Sequence, residues 1–309
     1  MTKIIPKKDL EKYIQSTGWT PGQKAPVRKP VNESKKAQPV QQIILSIDAL
    51  INNGREFESS EQKDGKNIGI SVALQQALNE IGDDGVVATM PYLIAGKSKA
   101  NKNNYLWKKW FSAFSEENAG IDTQGKLVKP GKQVIITVHG GGILTPERIM
   151  KAYADGLTAQ NSAKYSEEEF GNLLNGVLPS GESIDLYSVD DVQSGRISDS
   201  FGRYAVWMNA ETAKATESGY HKKIDFMKNP LVMARVGTLE HLEAYFEKAK
   251  HSTDKDVRNS HRLGEIDFQQ PQGRVLFLYD NINGLYGNNS LNYNGRFVGV
   301  APKARGARK

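Results

Sequence analysis

Four consecutive residues, His139-Gly140-Gly141-Gly142, are the part of this chain whose types and spacing most readily suggest chemistry. They follow the β-branched run Val134-Ile135-Ile136-Thr137-Val138 and precede Thr145-Pro146-Glu147, which reads as a helix start. Glycines let backbone N–H groups come close to a ligand because no Cβ stands in the way. A helix N-terminus adds unpaired donors and a partial positive charge. The pattern suits an anion or oxyanion, with Gly140, Gly141, Gly142 and Thr145 as anion-binding candidates and His139 as the catalytic candidate. The same residues also suit a tight structural turn.

The tetrapeptide resembles two family motifs. One is the oxyanion loop of esterases and lipases of the α/β-hydrolase superfamily; the other is the phosphate loop of the acetylglutamate kinase type. The resemblance implies an oxyanion cradle in the first case and a phosphate cradle in the second. Each pattern needs companions. A hydrolase requires Gly-x-Ser-x-Gly after a later strand, and none follows residue 142; Ser180, in Pro179-Ser180-Gly181, lacks the strand. A kinase of that type requires a lysine-bearing glycine loop near the start of the sheet, and residues 41–54 hold none. A P-loop is absent as well. The histidines His139, His221, His241, His251 and His261 form no His-x-x-x-His or His-Glu-x-x-His pair. Asp190-Asp191 reads as a solvated pair, since adjacent side chains diverge. Asp280-Asn281-Ile282-Asn283 offers oxygen ligands, but the twelfth position of a calcium loop is Leu291, so an Asn-rich turn is the simpler account. The chain has no Cys, which removes disulfides, thiolate catalysis and Cys-ligated metals. No cofactor and no metal are expected.

The elements that must hold this loop follow from periodicity. Val134–Val138, apolar on both faces, predicts a central strand of a covered sheet. Thr145 as N-cap and Pro146 at N1 predict a helix to Leu157, with Ile149, Met150, Tyr153, Ala154 and Leu157 inward. Ser166-Glu167-Glu168-Glu169 is a capping box for a second helix through Phe170, Leu173 and Leu174. Ser71 caps an expected helix over 72–81, and Thr238 another with Leu239, Leu242, Phe246 and Ala249 buried. Residues 41–51 are apolar and fit strand or helix; 55–67 read as a loop. Val86–Ile94 reads as a strand that Pro91 confines to an edge or bulge. Leu106, Trp107, Trp110, Phe111 and Phe114 fall on one face at helical spacing. That face reads as core, with base stacking as an alternative given Lys97, Lys99 and Lys102. Arg274–Tyr279 and Arg296–Val300 read as strands, joined by Asn- and Gly-rich loops. Together these predict an α/β or α+β fold, a mixed sheet with covering helices.

The 309 residues carry a net charge of +6, unevenly. Residues 1–40 hold +6 and residues 301–309 hold +4, leaving −4 for 41–300. The expected organisation is an extended Pro/Lys-rich arm (1–40), one globular body (41–300) and a basic tail (301–309). Lys7, Lys8, Lys24, Arg28, Lys29, Lys35 and Lys36 in the arm are candidates for polyanion or subunit contact, as are Lys303, Arg305, Arg308 and Lys309 in the tail. No apolar run approaches the ~18 residues of a membrane span, and no signal-peptide core opens the chain. The expectation is a cytoplasmic, non-enzymatic assembly protein, shell- or capsid-like. It would form a homo-oligomer and use its ends to contact neighbouring copies or nucleic acid, with no membrane partner. The alternative is a cytosolic α/β hydrolase or phosphotransferase using His139–Gly142.

Overall fold

Val134–Val138 occupies the place its composition assigns, near the middle of a mixed sheet. The computed structural model describes residues 46–82, 84–197, 202–250, 256–280, 284–288 and 290–301. The chain divides into units Met1–Gln42 and Ile43–Lys309, and the described residues belong to the second. The basic candidates of both ends therefore lie outside the described residues.

In chain order the strands are β1 (Arg55–Ser59), β2 (Gln62–Lys63), β3 (Lys66–Asn67), β4 (Val86–Val87), β5 (Phe111–Asp122), β6 (Lys132–His139), β7 (Ala163–Lys164), β8 (Asp185–Ser188), β9 (Tyr204–Asn209), β10 (Gly219–His221), β11 (Val257–Ser260), β12 (Gln272–Leu278), β13 (Gly284–Tyr286) and β14 (Gly295–Val300). Nine of them form one sheet in the order β10-β11-β13-β12-β5-β6-β9-β8, with β7 also paired to β12. The pairings are antiparallel except β11 with β13 and β8 with β9. A smaller antiparallel sheet has the order β1-β14-β4. The fold is thus a mixed α/β architecture with covering helices, as the periodicity predicts.

Local signals hold at two of the expected caps and at the β-branched run Val134–Val138. Thr145 accepts from the Arg148 N–H at the start of the Pro146–Asp155 helix, and Ser166 and Glu169 complete their capping box before Glu167–Leu174. Within the first of these helices, Ala152 is buried and Ala154 exposed.

Several expectations are corrected. The 55–67 stretch is not a loop: Arg55–Ser59 is an edge strand with charged outward residues, and Phe57 alone is fully buried in it. Residues 47–53 form a helix capped by Ser46. The 72–81 helix begins earlier, at Gly69, and Ser71 caps nothing; its hydroxyl donates to the Pro146 carbonyl. Val86–Ile94 is a strand for two residues only. Thr89 then caps a helix, Met90–Lys99, in whose first turn Pro91 costs no hydrogen bond. Thr238 is not a cap, and the last long helix is Leu242–Ala249. Gly284–Tyr286 is a strand rather than loop.

The largest correction concerns the aromatic stretch. Only Tyr105–Lys108 is helical, one turn capped by Asn104, and Phe111 opens the twelve-residue β5 at the heart of the sheet. Helical spacing is real in these residues, but the polar run that follows, Ser115-Glu116-Glu117-Asn118, is buried in the strand. Such a segment becomes a central strand only when distant groups satisfy its carboxylates.

Candidate functional site

The glycine loop is reached through a bulge. Between Ser112↔Phe277 and Glu116↔Val275, β5 carries three residues against one on β12. Phe114 leaves the β12 ladder there; its N–H donates to the Ala88 carbonyl and its carbonyl accepts from Gly140 N–H at 3.0 Å. The bulge sets Phe114, Ser115 and Glu116 against His139–Gly142.

His139 has no access to solvent and both ring nitrogens are engaged. Nε2 lies 3.0 Å from the Ala234 carbonyl and therefore carries the proton, so Nδ1 accepts from the Ser115 hydroxyl at 2.9 Å. Ser115 in turn accepts from Met90 N–H. Burial pushes the His139 pKa down to about 4, against the Ala234 hydrogen bond, which raises it. The Ser115–His139 distance is that of a nucleophile and its base. The imidazole is oriented by a carbonyl rather than a carboxylate, however, and the adjoining void of about 10 Å³ is at the lower limit for a single water.

The turn does bind a carboxylate, but one from its own chain, and through the N–H groups of Ile143 and Leu144 rather than those of the candidates Gly140, Gly141, Gly142 and Thr145. Glu116 Oε1 accepts from Ile143 N–H at 2.9 Å and Oε2 from Leu144 N–H at 2.8 Å, while Asn118 donates to Oε1 at 3.0 Å. A Cβ on Gly142 would lie 2.3 Å from Glu116 Oε1, so this close approach requires glycine. Gly141, at φ +92°, would set a Cβ 2.6 Å from the Phe114 ring. Burial raises the Glu116 pKa, opposed by these donors. Thr145 is occupied as the helix cap.

Below the C-terminal loops lies a second buried carboxylate. Glu117 Oε2 accepts from Arg235 Nη2 at 2.8 Å and Nε at 3.0 Å, and Arg274 stands 3.3 Å from Oε1. Arg235 Nη1 also donates to Asn259 Oδ1 and the Ser260 carbonyl. Burial acts to raise the Glu117 pKa, but Arg235 and Arg274 outweigh it and hold the carboxyl below the usual range. Gly287 packs directly on this network, with no room for a Cβ beside Arg235 Nη2.

Above it runs a ladder of rings and guanidinium groups that sequence reading missed. Arg258 lies over Tyr220 at 5.5 Å and over Tyr286 at 5.4 Å. Tyr286 meets Tyr279 at 4.6 Å, Tyr279 stacks on Trp110 at 6.3 Å, and Tyr293 meets Trp110 edge-on at 6.4 Å. Arg296 covers Trp110 at 4.9 Å. Tyr220 and Tyr293 are 50% and 44% exposed. The residues come from five places in the sequence, so only the Tyr and Asn content of 284–294 hinted at it. Trp107, by contrast, is buried, stacks on Tyr245 and lies beneath Lys102 and Lys97, so it presents no ring for base stacking.

Among the described residues no three His, Asp or Glu side chains gather as a metal site. Asp191 is the capping-box acid of the Val189–Gln193 helix and pairs with Arg196, whereas Asp190 takes no part in the box. No described helix is long and apolar enough to cross a membrane.

No protein-family model matches the chain, and no curated protein matches it. A solved structure described under the words "Accommodation of massive sequence variation in Nanoarchaeota by the C-type lectin fold" is similar to it. It superposes with a TM-score of 0.59 at 24% identity, over 80% of this chain and 98% of that one. This chain has a C-type lectin fold.

Proposed function

We propose that this chain is a non-enzymatic recognition protein that binds a protein or peptide partner through the Tyr220–Arg258–Tyr286–Tyr279–Trp110–Tyr293 ladder. The observation that carries this reading is the ladder itself: aromatic rings and guanidinium groups packed on one another, with Tyr220 and Tyr293 50% and 44% exposed at its ends and Tyr286 buried within it. Tyr, Trp and Arg are the residues that dominate binding energy at interfaces. The loop beside them, Gly287 to Asn294, is built of Gly, Asn, Ser, Leu and Tyr, the adaptable composition of antibody-type paratopes. The similar solved structure concerns a C-type lectin fold that accommodates massive sequence variation, and tolerance of variation suits a recognition protein. The buried His139 and the internally occupied glycine loop favour this over the hydrolase or phosphotransferase reading.

The test is selection from a displayed random-peptide library against the wild-type protein, with counter-selection on a Trp110→Ala/Tyr293→Ala variant of unchanged melting temperature. Enriched peptides that lose at least about tenfold in affinity on the variant support the reading; peptides that bind both equally, or no enrichment, overturn it. The +10 carried by the two ends supports a separate proposal, that they hold a polyanion or neighbouring copies. It predicts an absorbance ratio at 260 and 280 nm, or an assembly size, that falls when residues 1–40 and 301–309 are removed.

A further inference from the structure

A cleft of about 490 Å³ opens beside the glycine loop, lined by Phe114 and Gly140. That volume is in the range of small-molecule sites. Its apolar wall is Leu78, Ile81, Val86, Val87 and Phe114. The polar end is Arg203, whose Nε donates to the Gly140 carbonyl at 2.8 Å and whose Nη1 faces the Glu182 carboxylate. Gly140 thus anchors the guanidinium through Nε, and Arg203, Gly140 and Glu182 all line the cleft.

The Arg203–Glu182 pair is open to water, with side chains 38% and 53% exposed, and an exposed pair of this kind is held weakly. A ligand carboxylate entering the cleft can take the place of Glu182 on the Arg203 guanidinium, whose Nε is held by Gly140 and whose Nη1 meets Glu182. Its apolar remainder would lie on the Phe114 and Val87 wall. We propose that this cleft binds a small amphipathic carboxylate, an aromatic or branched apolar acid, with Arg203 as its anion contact and Glu182 as the internal competitor it displaces. The site is separate from the aromatic ladder and does not depend on it.

The experiment is a titration of the full chain with 2-naphthoate, and with 2-naphthamide as the uncharged control, followed by calorimetry and by amide shifts at Val86, Phe114 and Gly140. Naphthoate is expected to bind about tenfold more tightly than the amide. Arg203→Gln should erase that difference, and Glu182→Gln, at an exposed position that leaves folding intact, should tighten naphthoate severalfold. Arg203→Lys, which keeps the charge without the fork, should fall between. The Trp110→Ala/Tyr293→Ala variant should bind naphthoate as the wild type does. Equal binding of acid and amide, no binding by either, shifts confined to the ladder, or an unchanged affinity in Glu182→Gln would each overturn the proposal.

Discussion

His139 shows at the scale of one residue how a promising motif becomes part of the core. Its pKa in the folded chain, about 4, lies below the ordinary value of 6.5. Stability from the neutral imidazole is therefore fully present above pH 6.5 and is lost as pH falls through the folded value. The loss by pH 4 is on the order of 3 kcal/mol. Urea denaturation at pH 7 and pH 4.5 should show it, and His139→Asn should flatten the dependence over that window. Glu116 makes the complementary case. Glu116→Gln sets an amide N–H against one of the Ile143 and Leu144 donors, and leaving a buried donor unpaired costs about 1–3 kcal/mol. Hydrogen exchange at Ile143 and Leu144 should accelerate in that variant. Equal protection in both proteins would mean the carboxylate does not organise the loop.

At the scale of elements, local rules succeed where the partner is near in sequence. Thr145 with Arg148 and Ser166 with Glu169 are three residues apart, and both caps were legible. Thr89 with Tyr92 obeys the same rule but hid inside the apolar run Val86–Ile94, which read as an edge or bulged strand. Because that cap is buried, Thr89→Val should lower stability by about 1–2 kcal/mol in chemical denaturation. The β5 strand is the opposite case. Its Glu116 is satisfied from 27 and 28 residues away and its Glu117 from 118 residues away. Nothing in the periodicity of 106–118 reports those partners, so the helical spacing of its aromatic residues is the stronger local signal and points the wrong way.

For the molecule as a whole, the Glu117–Arg235–Arg274 network ties the centre of the sheet to the helix Pro230–Val236 and to the Gly287 turn beneath the ladder. Arg235→Met leaves Glu117 buried with only the longer Arg274 contact, a change expected to cost about 3–5 kcal/mol. Combined with Glu117→Gln the losses should not add, because both changes remove one pair. The Glu117 pKa is held below its unfolded value, so this stabilisation is present above the unfolded carboxylate pKa and disappears as pH falls through the folded one. A denaturation midpoint that ignored acid over that range in the His139→Asn variant would contradict the assignment.

The sequence by itself determined the class of fold, the central strand at Val134–Val138 and two helix caps, and left the turn after His139 open between an anion site and a structural turn. These depend on residues close together in the chain, where propensity and capping act directly. It also located its +10 at the two ends and left −4 for the body. Tertiary structure decided which anion the turn holds, that β5 is a strand, and that rings from residues 110, 279, 286 and 293, with Tyr220 through Arg258, join in one chain of contacts. A buried carboxylate is stable only beside its partner. In this fold those partners are brought in from dozens to more than a hundred residues away.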